Sequence, residues 1–95
     1  MKLDDYLENV KDQESFLEFV KALQADKEDE DLKEDKKPSN PYSHGHNGWE
    51  NNTISGFLES AVAWAEATNF GEKLKPESNI WKKLALFLYG GKIYE

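Results

Sequence analysis

The chain has no cysteine and no arginine among its 95 residues. Without cysteine there is neither a disulfide framework nor a thiolate metal site. Without arginine there is no guanidinium fork for phosphate, and a formal net charge of −7 leaves no basic patch in its place. Nucleic acid is therefore not an expected partner. No apolar run approaches the length of a membrane span, so membrane insertion is not expected either. The start, MKLDDYLENV, lacks a basic segment followed by an apolar one, so the reading is of a cytoplasmic protein. Strand-period segments and internal repeats are also missing, and only three prolines interrupt the chain.

What is present is helical periodicity and unevenly placed charge. Residues 1–35 hold thirteen acids and five lysines, net −8, whereas 36–95 hold six acids and seven lysines, net +1. The clearest pattern lies in WENNTISGFLESAVAWAEATNF, residues 49–70. Ile54, Phe57, Leu58, Ala61, Val62 and Ala65 form one stripe, with Trp64 at its edge and Ser55, Glu59, Ser60 and Glu66 opposite. Asn52 or Thr53 caps the start, and Asn69 or Gly71 closes the end. Gly56 reads as a first-turn residue rather than a point of close approach.

The rest follows the same code. Leu3, Tyr6, Leu7 and Val10 suit a short helix near 4–9. Asp12 suits a cap for a helix over 13–26, with Phe16, Phe19, Val20 and Leu23 inward. The run DKEDEDLKEDKK, 26–37, reads as a solvated extension of that helix, fraying toward 36. It fails as a calcium loop, because Asp31 stands where the glycine belongs and Lys37 where the bidentate glutamate belongs. Residues 38–51, PSNPYSHGHNGWEN, are a loop by composition. A third main helix is expected over 77–89, begun by Pro76 or Ser78 and ended by Gly90-Gly91, with Lys82 and Lys83 on its wet side. Ile93 and Tyr94 should fold back over the core.

The expected architecture is all-α: one domain over 1–95, three main helices (13–26, 53–69, 77–89) and a short N-terminal one. The expected core is Phe16, Phe19, Val20, Leu23, Phe57, Leu58, Ala61, Val62, Trp64, Trp81, Leu84 and Leu88, with Trp49 at its edge. An Asn47-Gly48 hairpin is the main competing local structure.

Candidate binding residues lie in the loop: Tyr42, His44, His46, Trp49, Glu50 and Asn51. Two imidazoles and a carboxylate are possible zinc or iron ligands, and Glu50 is a conceivable general base. Neither idea has spacing that fixes geometry, so no metal, cofactor or catalytic residue is assigned and enzyme activity is disfavoured. The favoured reading is a non-enzymatic interaction module, immunity- or antitoxin-like toward a basic partner. The alternative is a small-molecule or metal binder, or a minor hydrolase, using loop 42–51. The broad apolar face of 80–88 also leaves self-association open.

The segments ESFLEFVKAL, PSNPY, NGWENNTISGFLESAVAWAE and FLYGGKIYE resemble an uncharacterised family of small acidic bacterial proteins, a domain of unknown function. Gly48-Trp49-Glu50-Asn51 and Gly91-Lys92-Ile93-Tyr94-Glu95 are its most specific elements. The resemblance implies a bacterial origin and a compact domain, and it implies no chemistry.

Overall fold

A computed structural model describes residues 2–38, 46–72 and 79–94. The protein is all-α. Its helices are α1 (Leu3–Glu8), α2 (Gln13–Lys36), α3 (Ile54–Thr68) and α4 (Ile80–Ile93). No strand occurs among the described residues, so Asn47-Gly48 forms a turn and not a hairpin.

Helix α4 is the hub. It packs on α3 along one side and on α2 and α1 along the other, while α1 and α2 form a hairpin. Leu7, Val10, Phe19, Leu23, Trp49 and Ala85 make the buried centre, and Phe16, Val20, Phe57, Trp81 and Leu88 pack around it. Phe16 and Trp81 meet at 5.6 Å between ring centroids. Ala61 and Trp64 are buried as expected, and Leu84 is partly buried.

The helix starts follow the sequence. Asp12 caps α2, its Oδ1 accepting from the Ser15 amide at 2.9 Å while its own amide donates to Ser15 Oγ at 3.0 Å. The bond from the Ser15 amide, and then a second from the Ser15 hydroxyl to the same Oδ1 at 2.7 Å, hold the Asp12 carboxyl below the usual carboxylate range. Thr53 Oγ1 caps α3 by accepting from the Gly56 amide, which places Gly56 in the first turn. Asn69 closes α3 at φ 52°. Helix α4 is capped by Asn79, which the sequence did not suggest; Pro76 and Ser78 lie outside the described residues. The Asn79 side chain also donates to the Lys11 carbonyl, tying the start of α4 to the α1–α2 turn.

Several expectations are corrected. Helix α2 does continue through 26–36 as expected, but it runs unbroken to Lys36 where fraying was expected. Gly90-Gly91 does not end α4, which continues to Ile93. A Cβ on Gly90 would lie 2.8 Å from Trp64 Cγ, and one on Gly91 2.7 Å from Phe57 Cε2. The glycines are there so that α3 and α4 can close on each other. That close approach also sets the rotation of α3. The helix buries its small residues, Ser60, Ala61 and Ala65, together with Trp64. Leu58 and Val62 are consequently half-exposed, not core, and Ile54 is 82% exposed. Trp49 is 5% exposed and belongs to the core rather than its edge. Lys82 is not on a wet face: its Nζ donates to the carbonyls of Leu7 (2.6 Å) and Glu8 (2.8 Å) at the end of α1. Ile93, the last residue of α4, is exposed and does not fold over the core, whereas Lys92 beside it is buried and Tyr94 is half-buried.

Candidate functional site

The second half of α2 looks like a solvated charge run in sequence, yet one of its faces is the seat of the loop that precedes α3. Asp26, Glu30 and Glu34 recur every four residues and so share one face. Glu30 is 1% exposed. Its Oε1 accepts from the amides of Asn47 (3.1 Å) and Trp49 (3.2 Å), which fixes the turn. Asn47 Nδ2 donates to the Asp26 carbonyl and to Asp29 Oδ2, and Asn47 Oδ1 accepts from Lys33 Nζ at 2.9 Å. The Asp29 carboxyl is held low, first by its bond from Lys33 and then by that from Asn47. The last turns of α2 persist because the loop occupies them.

Trp49 is the pivot. Its Nε1–H donates to Asp26 Oδ2 at 2.9 Å, and Lys92 Nζ donates to the same oxygen at 2.7 Å. Lys92 is 6% exposed. Its ammonium lies 5.6 Å from the Trp49 ring centroid, and that of Lys27 lies 5.7 Å away. Lys27 also pairs with Asp31 and approaches Glu30 Oε2 at 3.8 Å. The Glu50 amide donates to the Lys92 carbonyl at 2.9 Å, and Asn51 Nδ2 donates to the carbonyls of Gly91 (3.0 Å) and Tyr94 (3.2 Å). Gly48-Trp49-Glu50-Asn51 and the Gly91-Lys92 end of α4, separate in sequence, are thus two halves of one clamp closed by α2.

The residues singled out from sequence divide accordingly. Tyr42 and His44 lie outside the described residues. The His46 amide donates to Glu34 Oε1, and its Nε2–H donates to the Lys37 carbonyl at 2.6 Å, beyond the end of α2. Glu50 is tied down through its backbone. Among the described residues, no group of three His, Asp or Glu side chains is arranged to hold a metal. Trp49 and Asn51 come together at a different feature, a groove of 410 Å³ between α2 and the start of α3. Its floor is Trp49, Phe57 and Leu88, and its walls are Val20 and Gln24 on one side and Ile54 on the other. Trp49 and Phe57 rings lie 6.1 Å apart beneath it. The groove exists because both α2 and α3 pack on α4, while no Cα of α2 comes within 8 Å of one of α3. At its edge Lys27, paired with Asp31, and Glu28 line the α2 wall, followed by Asp31, Leu32 and Asp35 on the exposed side of the helix. Leu32 is 63% exposed.

Asp26, Lys27, Glu30 and Lys92 were not recognised from sequence. The four-residue spacing of the acids was the available signal, but it is also the spacing of an ordinary solvated face.

These features define a small all-helical protein in which a charge-clamped loop floors an apolar groove. The chain belongs to the family of unknown function DUF7660, whose model matches residues 11–95. No curated protein and no solved structure matches the chain. Among the described residues, no helix is long and apolar enough to cross a membrane.

Proposed function

We propose that this is a non-enzymatic interaction module that binds a basic partner protein through the groove between α2 and α3 and the acidic rim beside it. The observation that carries the reading is the juxtaposition of Ile54, 82% exposed at the mouth of an apolar groove, with Glu28 on the opposite wall. Desolvating an apolar anchor in such a pocket supplies affinity, while surrounding acids steer a cationic surface toward it. Glu28 and Asp35 form no ion pair among the described residues, so their charge is available to a partner. The side chains of Asn47, Trp49 and Asn51 are committed to the clamp, and Glu50 is held there through its amide. That favours interaction over hydrolysis or metal binding by residues 46–51. An immunity- or antitoxin-like inhibitor that masks a basic protein is the concrete form of this reading.

The test is affinity capture from host lysate with three baits: wild type, Ile54→Asp and Glu28→Lys/Asp35→Lys. A stoichiometric basic protein, held by wild type at low salt and lost in high salt and on both variants, is the expected result. Capture that is indifferent to both variants, or no stoichiometric partner at all, would refute the proposal.

A further inference from the structure

We infer that the groove receives an amphipathic, basic α-helix of the partner, lying between α2 and α3 over Trp49 and Leu88. This inference rests on the interaction reading above and adds the form of the occupant. Three features of the groove lead to it.

The first is backbone chemistry. An extended segment bound by a protein usually adds to a sheet edge, where its amides and carbonyls find partners. No strand occurs among the described residues, the α2 wall is a helix whose backbone groups are bonded internally, and on the opposite wall the Asn51 and Thr53 side chains are already committed, to the Gly91 and Tyr94 carbonyls and to the Gly56 amide. The floor is Trp49, Phe57 and Leu88. An extended chain pressed onto that floor would strip water from its own amides without replacing it. A helix satisfies its backbone itself and offers only side chains.

The second is the position left open. Helices α2 and α3 both pack on α4, and no Cα of one comes within 8 Å of a Cα of the other. A helix set between them would contact α2, α3 and the Leu88 side of α4, completing a four-helix arrangement.

The third is the placement of charge. Glu28 and Asp35 are seven residues, about two turns, apart on the exposed side of α2 and flank Leu32. The α3 wall opposite is Thr53 and Ile54, with no charge. An occupant helix should therefore carry lysine or arginine along one flank only, with apolar residues at i, i+3, i+4 and i+7 facing down.

The experiment is selection from a display library of random peptides of about 16 residues, long enough for four helical turns. Wild-type protein is the target and Ile54→Asp the counter-target. Ile54 is largely exposed, so the variant should keep its fold, which a thermal melt checks before selection. The expected winners show the i, i+3, i+4, i+7 apolar pattern with a basic flank and gain helical circular dichroism on binding. They should bind about tenfold more weakly to Ile54→Asp, the loss of one anchor contact, and again to Glu28→Lys/Asp35→Lys. Basic winners that depend on Ile54 but carry central prolines or no helical period would overturn the helix while leaving the basic-partner reading intact. Acidic or neutral winners, or none that discriminates Ile54→Asp, would overturn both.

Discussion

The residue with most depending on it is Lys92. It is buried, it shares Asp26 Oδ2 with the Trp49 indole, and it stands over the Trp49 ring. Deleting one member of a buried charge pair leaves the other uncompensated, at roughly 3–5 kcal/mol. Lys92→Met should therefore lower unfolding free energy by about 3 kcal/mol or more in urea titrations, and Glu30→Ala by a similar amount. Part of the Lys92→Met loss should return when Asp26 is also replaced by leucine, since the orphaned charge is then gone, the remainder being the Trp49 indole N–H left without its acceptor. A Lys92→Met protein within about 0.5 kcal/mol of wild type, the range of an ordinary surface change, would mean the clamp carries no stability. The pH dependence belongs to a different residue. Asp29 is held below its usual range by Lys33 and Asn47, so the folded state binds its proton less readily than the unfolded state does. Its contribution is fully present above the unfolded value of about 3.9 and is lost as pH falls through the depressed folded value. The stability gap between wild type and Asp29→Asn should accordingly be open at pH 7 and narrow below about pH 4. A gap unchanged down to pH 2.5 would show that the neutral hydrogen bonds, not the charge, are what matter.

At the scale of elements, what was legible and what was not separate cleanly. Helix existence was written in the sequence: the Asp12 and Thr53 caps, the Asn69 closure and the stripe Phe16, Phe19, Val20, Leu23 all act as their residue types predict. Helix rotation was not. Ile54, Leu58 and Val62 are the most apolar residues of their helix, and burying them looks best for α3 taken alone. The packing partner decides otherwise, because α4 offers Gly90 and Gly91, against which Trp64 and Phe57 pack closely, and the face of α3 that turns inward with them buries Ala61 and Ala65. The candidate site was half legible for the same reason. Trp49 and Asn51 were picked out as loop aromatic and polar residues, but the groove they line is made by α3 turning Ile54 outward. The prediction at this scale concerns Gly90. In an exposed helix, Gly to Ala stabilises by about 1 kcal/mol. Here the new methyl would sit 2.8 Å from Trp64 Cγ and 3.0 Å from its Cβ, atoms close to the α3 backbone that cannot swing aside. Gly90→Ala should therefore destabilise, by about 1–3 kcal/mol as overpacked cores do. Gly91→Ala meets the movable rim of the Phe57 ring and should be milder. Thermal melts that rank the two the other way would place the tight crossing elsewhere along the helices.

For the whole molecule, the governing quantity is where the charge sits. Helix α2 alone carries nine acids and four lysines, net −5 of the chain's −7. Some of those acids are compensated: Asp29 by Lys33, Asp31 by Lys27, Asp26 by Lys92. Glu28 and Asp35 have no such partner among the described residues. Exposed like charges repel over about 10 Å at 0.1 M salt and over about 30 Å at 0.01 M, whereas buried pairs are screened much less. Raising salt should thus relieve the repulsion along α2 while barely touching the Asp26–Lys92 and Glu30 contacts. The expected outcome is a melting temperature that climbs by a few degrees between about 0.01 and 0.15 M salt, an order-of-magnitude reading of self-repulsion in an acidic chain. The double variant Glu28→Lys/Asp35→Lys changes net charge by +4, from −7 to −3. Its melting temperature should start higher at low salt and climb less. This experiment also bears on function without needing a partner. Uncompensated acids that cost stability are ones the fold does not use, and a groove rim kept acidic at the expense of stability is what recognition of a basic surface requires. A wild-type melting temperature that instead falls with salt would show that attractive pairs outweigh repulsion on α2. The acidic rim would then be part of how the helix is held, and the case for a basic partner would rest on the groove alone.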